Sequence, residues 1–499
     1  MAKKDITSTR STIEYLKDIG DIFVVKNEVD PIYEVSGIAK AFDGGPALLF
    51  ENIKGYPGHK ITTNICAKRE RVARIFDIDD HRKFKFKCLD AMKNPLNPTV
   101  VDSAPSQKNV ITKGIDVLAT LPIIKHTEED AGRILGGGNT LVGNPESGFH
   151  ISFNRAHFQG KDWSSLSINL NTHFEHHVLR TADNKGRLPL TINICTSPAI
   201  WIAAGGGGMK ISVPVGCNEL GIAGALQGTP VEIVNAKTVD AYALACAEWV
   251  IEGYVDTKET VWESEEAKKL GEIGKAPFFP EYPGYLGKSY KTYKFQATAI
   301  THRDDPIFFT PLAHSIDGNN ICSFLREASM YDVGNRICPG LVIDTHILDG
   351  MKSFGGIVIQ VKKRRRRDEG YQKNIILSAF TALAGLRMVV IVDEDVNIYD
   401  PEEVLWAIMT RADPASDYVI LNDIRGTANF PTEKADDPGR IGLASVIGID
   451  ATIPYANKWK FRLGKHPKVD LKRWFTDNEI NKGRAMQSPY AKSMAERRI

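Results

Sequence analysis

Across residues 111–315 the chain breaks into short β-prone runs punctuated by glycine, a texture that commits this stretch to a β-rich domain. Phe149-His-Ile-Ser-Phe-Asn-Arg155 alternates apolar and polar positions, and Leu166-Ser-Ile-Asn-Leu170 does so again, as half-buried strands should. Leu188-Pro-Leu-Thr-Ile-Asn-Ile-Cys195 is a more continuous apolar strand. Two helices are expected to interrupt these runs, over 174–181 and over 241–251, the latter for its alanine content. The charged stretch 257–270 is expected to be exposed.

The flanks read differently. Residues 1–110 form a small α/β unit, with a helix over 11–19, a short strand at Phe23-Val-Val25 and another running from Pro46 toward a turn at Gly55. Asn94-Pro-Leu-Asn-Pro-Thr99 marks its exit. Residues 316–475 alternate strands (Gly356-Ile-Val-Ile-Gln-Val361, Met388-Val-Val-Ile-Val392, Tyr418-Val-Ile-Leu421) with helices over 375–386 and 401–410. That rhythm predicts an α/β layer domain, and 476–499 reads as a polar, partly ordered tail.

A length of 499 residues fits about three domains. The formal charge of +2 gives no global field toward nucleic acid or an anionic membrane, so anion recognition has to be local. The chain starts without a signal-peptide pattern and holds no membrane-length apolar run. Its seven cysteines include no C-x-x-C pair and read as small buried thiols of a reducing compartment, the cytoplasm.

Three kinds of segment offer chemistry. Gly136-Gly-Gly138 and Gly205-Gly-Gly-Gly208 let backbone N–H groups approach an anion or a flat ring, but neither fits a dinucleotide or P-loop fingerprint, and each taken alone reads more often as a mobile loop. His150, His173, His176, His177 and Glu219 are possible metal ligands; His173 and His177 share a helix face, but Phe174 stands where a zinc hydrolase needs glutamate. His176 and His177 are expected on an exposed helix face. Glu281 is the only acid in Pro277-Phe-Phe-Pro-Glu-Tyr-Pro-Gly-Tyr285, where scarce water would suit a proton donor; a solvated loop glutamate is the plainer reading.

At these segments the chain resembles the UbiD family of prenylated-FMN decarboxylases, most of all the branch acting on hydroxybenzoates such as protocatechuate and gallate. The likeness is carried by Phe50-Glu-Asn-Ile-Lys-Gly-Tyr-Pro57, Leu188-Pro-Leu-Thr-Ile-Asn193, Asn218-Glu-Leu-Gly-Ile-Ala-Gly-Ala225 with Pro230-Val-Glu-Ile-Val234, and Pro280-Glu-Tyr-Pro-Gly-Tyr285. It continues through Val392-Asp-Glu-Asp-Val-Asn-Ile-Tyr399 and Val404-Leu-Trp-Ala407 with Thr410-Arg411.

The resemblance implies an α+β, α/β multidomain chain: an N-terminal α/β unit (1–110), a split β-barrel of flavin-reductase type holding the cofactor (111–315), and an α/β domain (316–475) that builds dimers or hexamers. It implies prenylated FMN supplied by a flavin prenyltransferase, a divalent ion (Mn2+, or Fe2+ or Mg2+) and K+. By the same likeness Arg155 meets the substrate carboxylate beside the flavin, Glu281 protonates the product carbon, and His173 and Glu219 hold the metal, with Gly205 and Gly206 near the cofactor. Two positions depart from the pattern: His150 stands where the first metal ligand is commonly asparagine, and Ala276 where some members carry a second glutamate. Histidine still suits manganese or iron, and the missing glutamate favours an aromatic over an acrylic acid.

The expected reaction is reversible, non-oxidative decarboxylation of an aromatic or conjugated acid. The alternatives are an aromatic acyl-CoA substrate, carboxylation as the working direction, and a non-catalytic flavin-binding subunit. The run Lys362-Lys-Arg-Arg-Arg-Arg367 could grip CoA phosphates, or nucleic acid more remotely, but reads first as a solvated strand exit.

Overall fold

The computed structural model describes residues 4–169, 172–184, 186–209, 211–426, 429–432 and 442–498. A nine-stranded antiparallel sheet dominates the middle of the chain. Its order is Ile134–Leu135, Ala156–Phe158, Trp163–Leu166, Lys291–His302, Trp249–Trp262, Arg187–Ile194, Gly138–Asn144 and Gly148–Phe153, with Asn109–Ile111 also on Lys291–His302. This is the β-rich domain expected; among the described residues no pairing joins its two ends into a closed barrel.

The longest strand, Trp249–Trp262, corrects the expected helix at 241–251. Residues Tyr242–Leu244 and Trp249 onward are both strand, and Ala243, Ala245 and Ala247 are buried. Pairing on both edges outweighs alanine's helix preference. A register shift follows Glu252, and Gly253 fits there because an added Cβ would stand 2.1 Å from the Gln296 carbonyl oxygen. The alternation at 149–155 was a sound signal: Gly148–Phe153 is a strand. The next expected strand is shifted to Trp163–Leu166, and Leu170 lies outside the described residues.

Ile22–Val25, Ala47–Phe50 and Lys60–Thr63 form the N-terminal sheet, whose fourth strand, Ile307–Phe309, comes from far along the chain. The C-terminal sheet runs Val342–His346, Gly356–Val361, Met388–Asp393, Leu443–Ala451, Tyr418–Arg425, its three central strands parallel. Helices Tyr371–Ala382 and Pro401–Arg411 supply the crossovers that parallel strands require. The expected tail is two helices, Asp477–Ala485 and Pro489–Arg498, and Arg497 ties the second to buried Glu403.

The basic run is mostly the solvated strand exit expected: Lys362 and residues 364–367 are exposed, and only Lys363 is buried. Lys363 is buried, pairs with Glu369 at 3.0 Å and donates to Thr452 Oγ1 and the Ile453 carbonyl. Lys362 pairs with Glu394, and the Arg364 and Arg365 N–H groups donate to Asp368. Cys66, Cys88 and Cys195 are buried thiols as expected, whereas Cys217 is exposed. No described helix is long and apolar enough to cross a membrane.

Helix Ile316–Ile337 joins the parts. It packs against helices Phe84–Lys93, Pro198–Gly205 and Tyr371–Ala382 and against strand Val342–His346. Buried Arg326 donates to the carbonyls of Gly207, Ser353 and Ala384. Its neighbour Glu327 is paired with Arg69 at 2.8 Å and His346 at 3.1 Å and accepts from the Ile347 N–H. Burial works against the Glu327 carboxylate, but Arg69 and His346 outweigh it and hold its pKa far below the usual range.

Glu327→Gln should therefore strand the Arg69 charge and cost about 3–5 kcal/mol in denaturant unfolding, while a Glu327→Leu/Arg69→Met double variant recovers most of that. Because the folded-state pKa is lowered, the stabilisation is present above the ordinary glutamate range and lost as pH falls below it. The wild-type advantage should thus persist from pH 7 to about pH 5 and shrink in acid.

Candidate active site

Two clusters of ionisable groups meet the strand Gly148–Phe153 and the loop after it. His150 lies on the strand itself. His173 and Glu219 are the first residues of helices His173–Asn184 and Glu219–Gln227, so both are delivered from helix N-termini. Asn218 caps the second helix by accepting from the Gly221 N–H, which fixes where Glu219 begins.

Glu219 is the centre of the first cluster. One oxygen lies 2.8 Å from His150 Nδ1 and accepts from the Ile151 N–H at 2.9 Å; the other lies 2.9 Å from His173 Nδ1. The three side chains place ligand-competent atoms within 4.8 Å of one another. Burial alone would raise the Glu219 pKa, but His150, His173 and the Ile151 N–H bring it to about 2. His150 Nδ1 is buried and makes no well-aligned hydrogen bond despite that proximity. Two imidazoles and an ionised carboxylate converging from three elements fit a divalent transition metal. His150 Nε2 continues into a polar ladder, 3.0 Å from Ser152 Oγ, which donates to Asn154 Oδ1 at 2.7 Å.

His177, expected on an exposed face, is half-buried, and burial followed by His150 and His176 lowers its pKa to about 4. His176 is exposed, as expected.

Arg155 is the centre of the second cluster. It contacts Glu281 through Nη1 and Glu263 through Nε at 3.3 Å, with its guanidinium 5.0 Å from the centre of the Phe278 ring. Burial disfavours its charge, and the two carboxylates more than compensate, raising its pKa above the ordinary value. Glu281 sits in the turn of the hairpin Pro277–Pro280 and Leu286–Lys288, closed by its own N–H to the Tyr285 carbonyl. Gly284 takes φ +100° in that turn, and an added Cβ there would meet the His314 ring at 2.8 Å.

Glu263 was not singled out from sequence. It lies in the stretch expected to be exposed, yet it is 1% exposed, accepting from the Tyr290 N–H as well as pairing with Arg155. Asn429 was missed too; its Nδ2 donates to Glu281 Oε2 at 2.6 Å across 148 positions of sequence.

The glycine runs have packing explanations. A Cβ on Gly205 would lie 2.8 Å from Ile321, and one on Gly206 2.7 Å from Leu325, both on the central helix. Gly137 and Gly138 are equally tight against the Phe309 carbonyl and Ile192. Close element contact accounts for the lack of a side chain at these four positions.

Three family models match consecutive parts of the chain. The 3-octaprenyl-4-hydroxybenzoate carboxy-lyase N-terminal domain covers 13–86, its Rift-related domain 99–314 and its C-terminal domain 319–451. A gallate decarboxylase of Lactiplantibacillus plantarum is 30% identical, over 89% of this chain and 93% of its own. The 3,4-dihydroxybenzoic acid decarboxylase structure from Enterobacter cloacae superimposes with a TM-score of 0.81 at 29% identity, covering 95% of this chain and all of that one. An evolved dimeric form of the UbiD-class enzyme HmfF from Pelotomaculum thermopropionicum, in complex with prFMN, gives 0.78 at 28% identity, covering 95% and 99%. On the matches along its length, this chain belongs to the UbiD family of carboxy-lyases.

Proposed function

We propose that the protein removes CO2 from a free aromatic acid on prenylated FMN, with Arg155 binding the substrate carboxylate and Glu281 delivering the proton. The observation that carries this reading is the pairing of Glu281 with Arg155, two residues beyond the strand that presents His150. The gallate and dihydroxybenzoic acid relatives support an aromatic substrate, and the prFMN complex supports the cofactor. A free acid is favoured over a CoA thioester because the gallate and 3,4-dihydroxybenzoic acid decarboxylases it resembles are named for free acids.

When bound, prenylated FMN supplies the electron sink for the charge left on the ring carbon as CO2 departs. His150, His173 and Glu219 would hold the divalent ion, with manganese or iron suited to the two imidazoles. The chain does the rest. The planar guanidinium of Arg155 presents a fork to the incoming carboxylate and aligns it. Because Glu281 occupies the same guanidinium, substrate and Glu281 compete for it, and an occupied site frees Glu281 to carry a proton to the vacated carbon. Glu263 stays buried behind Arg155 and holds it charged and in place through the exchange. Phe278 and Phe279, both buried, keep water from the hairpin face.

The division at about 110, 315 and 475 belongs to the same reading; the breaks between matched segments at 86–99 and 314–319 support the first two boundaries. A homo-oligomer is supported by the exposed Trp459, Trp474, Phe475 and Met486 near the C-terminus.

Glu281→Gln keeps the shape but carries no acidic proton. It should retain flavin while turnover and deuterium uptake from heavy water fall by about 10²-fold or more. Retained flavin with wild-type exchange would assign the proton to another donor. Glu219→Gln should lower metal and flavin content together, read by elemental analysis and by the flavin absorbance. Full occupancy of both would remove Glu219 from the metal site.

A further inference from the structure

Glu281 is held at both oxygens, by groups from two different parts of the chain. Oε1 meets Arg155, and Oε2 accepts from Asn429 Nδ2 at 2.6 Å. Asn429 does not approach alone. The ring of Phe430 stands edge-on to Tyr282, the residue after Glu281, with centroids 5.6 Å apart. Gly355 leaves room for that ring, since a Cβ there would lie 3.1 Å from it. Arg387 stacks 5.3 Å from the Phe430 centroid and donates to Thr432 Oγ1 at 3.1 Å. Residues 429–432 are thus clamped between the Glu281 hairpin and the start of the strand Met388–Asp393.

The two contacts are chemically unequal. Arg155 is the group a substrate carboxylate must take over, so the Oε1 contact is exchangeable in every turnover. An amide has no affinity for the substrate's departure or arrival at Arg155, so the Oε2 contact can persist. We propose that Asn429 is a positioning residue of the acid: by holding Oε2, it keeps the carboxyl group in place and leaves Oε1 as the oxygen that trades Arg155 for a proton. The N–H donor suits both states, because Oε2 is an acceptor in the carboxylate and remains the carbonyl oxygen when Oε1 is protonated. In the transfer the O–H bond at Oε1 breaks, a C–H bond forms at the carbon that lost CO2, and the carboxylate returns to Arg155. The inference rests on Glu281 being the proton donor.

Among the described residues, several charged groups near this hairpin make other contacts. Glu263 lies behind Arg155, His314 packs on Gly284 with Lys352 and Lys40 nearby, Arg326 lies near Tyr282, and Arg387 is over Phe430. The amide is therefore the group from the C-terminal region placed to orient the acid.

Two substitutions separate donation from shape. Asn429→Ala removes the side chain, and Asn429→Asp keeps its outline but has no N–H to give. With flavin loaded, both should lower the maximal rate of deuterium exchange by about tenfold or more while KM stays within twofold, and Asp should be the worse of the two. A second readout needs no turnover: the carboxylate stretch of Glu281, taken as the infrared difference between the wild type and Glu281→Gln, should shift when Asn429 becomes Ala, with or without flavin. Wild-type exchange in both variants, an Asp variant equal to wild type, or an unmoved stretch would each overturn the role of Asn429. If Glu281→Gln itself exchanges like wild type, the failure lies in the Glu281 reading, and the proposal falls with it.

Discussion

A largely enclosed guanidinium needs partners for its charge and its N–H groups, and Arg155 finds two carboxylates that lie more than a hundred positions away in sequence. That requirement organises the centre of the molecule. Glu263 reaches Arg155 because it directly follows the 14-residue strand Trp249–Trp262, which ends beside it. Glu281 reaches it only because the hairpin Pro277–Pro280 and Leu286–Lys288 folds back over the same edge. Losing either acid leaves a partly compensated cation in low dielectric, so both segments are held by the charge they serve.

Strand Gly148–Phe153 ties the Arg155–Glu281 pair to the His–Glu cluster. His150 and Arg155 are five positions apart, so any displacement of Gly148–Phe153 moves both. Its register against Gly138–Asn144, with His150 opposite Val142, is set by apolar side chains on the buried face. A one-residue slip would turn His150 away from Glu219 and put a core residue in its place. Core packing and site geometry are one constraint here.

Much of this was legible from residues alone, and the failures have physical causes. Alternation at 149–155 found the site strand because one face is buried and the other polar. The helix expected at 241–251 failed because alanine's local preference is weak against strand pairing on two edges. Helix Ile316–Ile337 gave no apolar stripe to read: it buries Asp317, Asn320, Arg326 and Glu327 alongside its apolar residues, so its surroundings are polar on several sides. Glu263 was hidden by its neighbours, since a charged stretch looks solvated until a distant arginine is known to meet it. The likeness to family motifs, and not spacing, pointed to His150, His173 and Glu219, which come from three elements.

Asn429 shows where reading along the chain stops. Asn-Phe-Pro-Thr at 429–432 carries nothing that marks chemistry, and the amide acquires a role only from what lies across from it. Its contact with Glu281 also joins the C-terminal region to the hairpin, as Arg326 joins it to Gly207 through the central helix. These two polar contacts differ in kind. Arg326 is buried and bonded to three main-chain carbonyls, so it changes little short of unfolding. In the proposed reaction Glu281 accepts from a cation that the substrate would claim, and its second bond, to an amide, is the one that can survive the exchange. A site that binds an anion with its own internal ion pair needs such an asymmetry: one partner to give up, and one to keep the acid from following it.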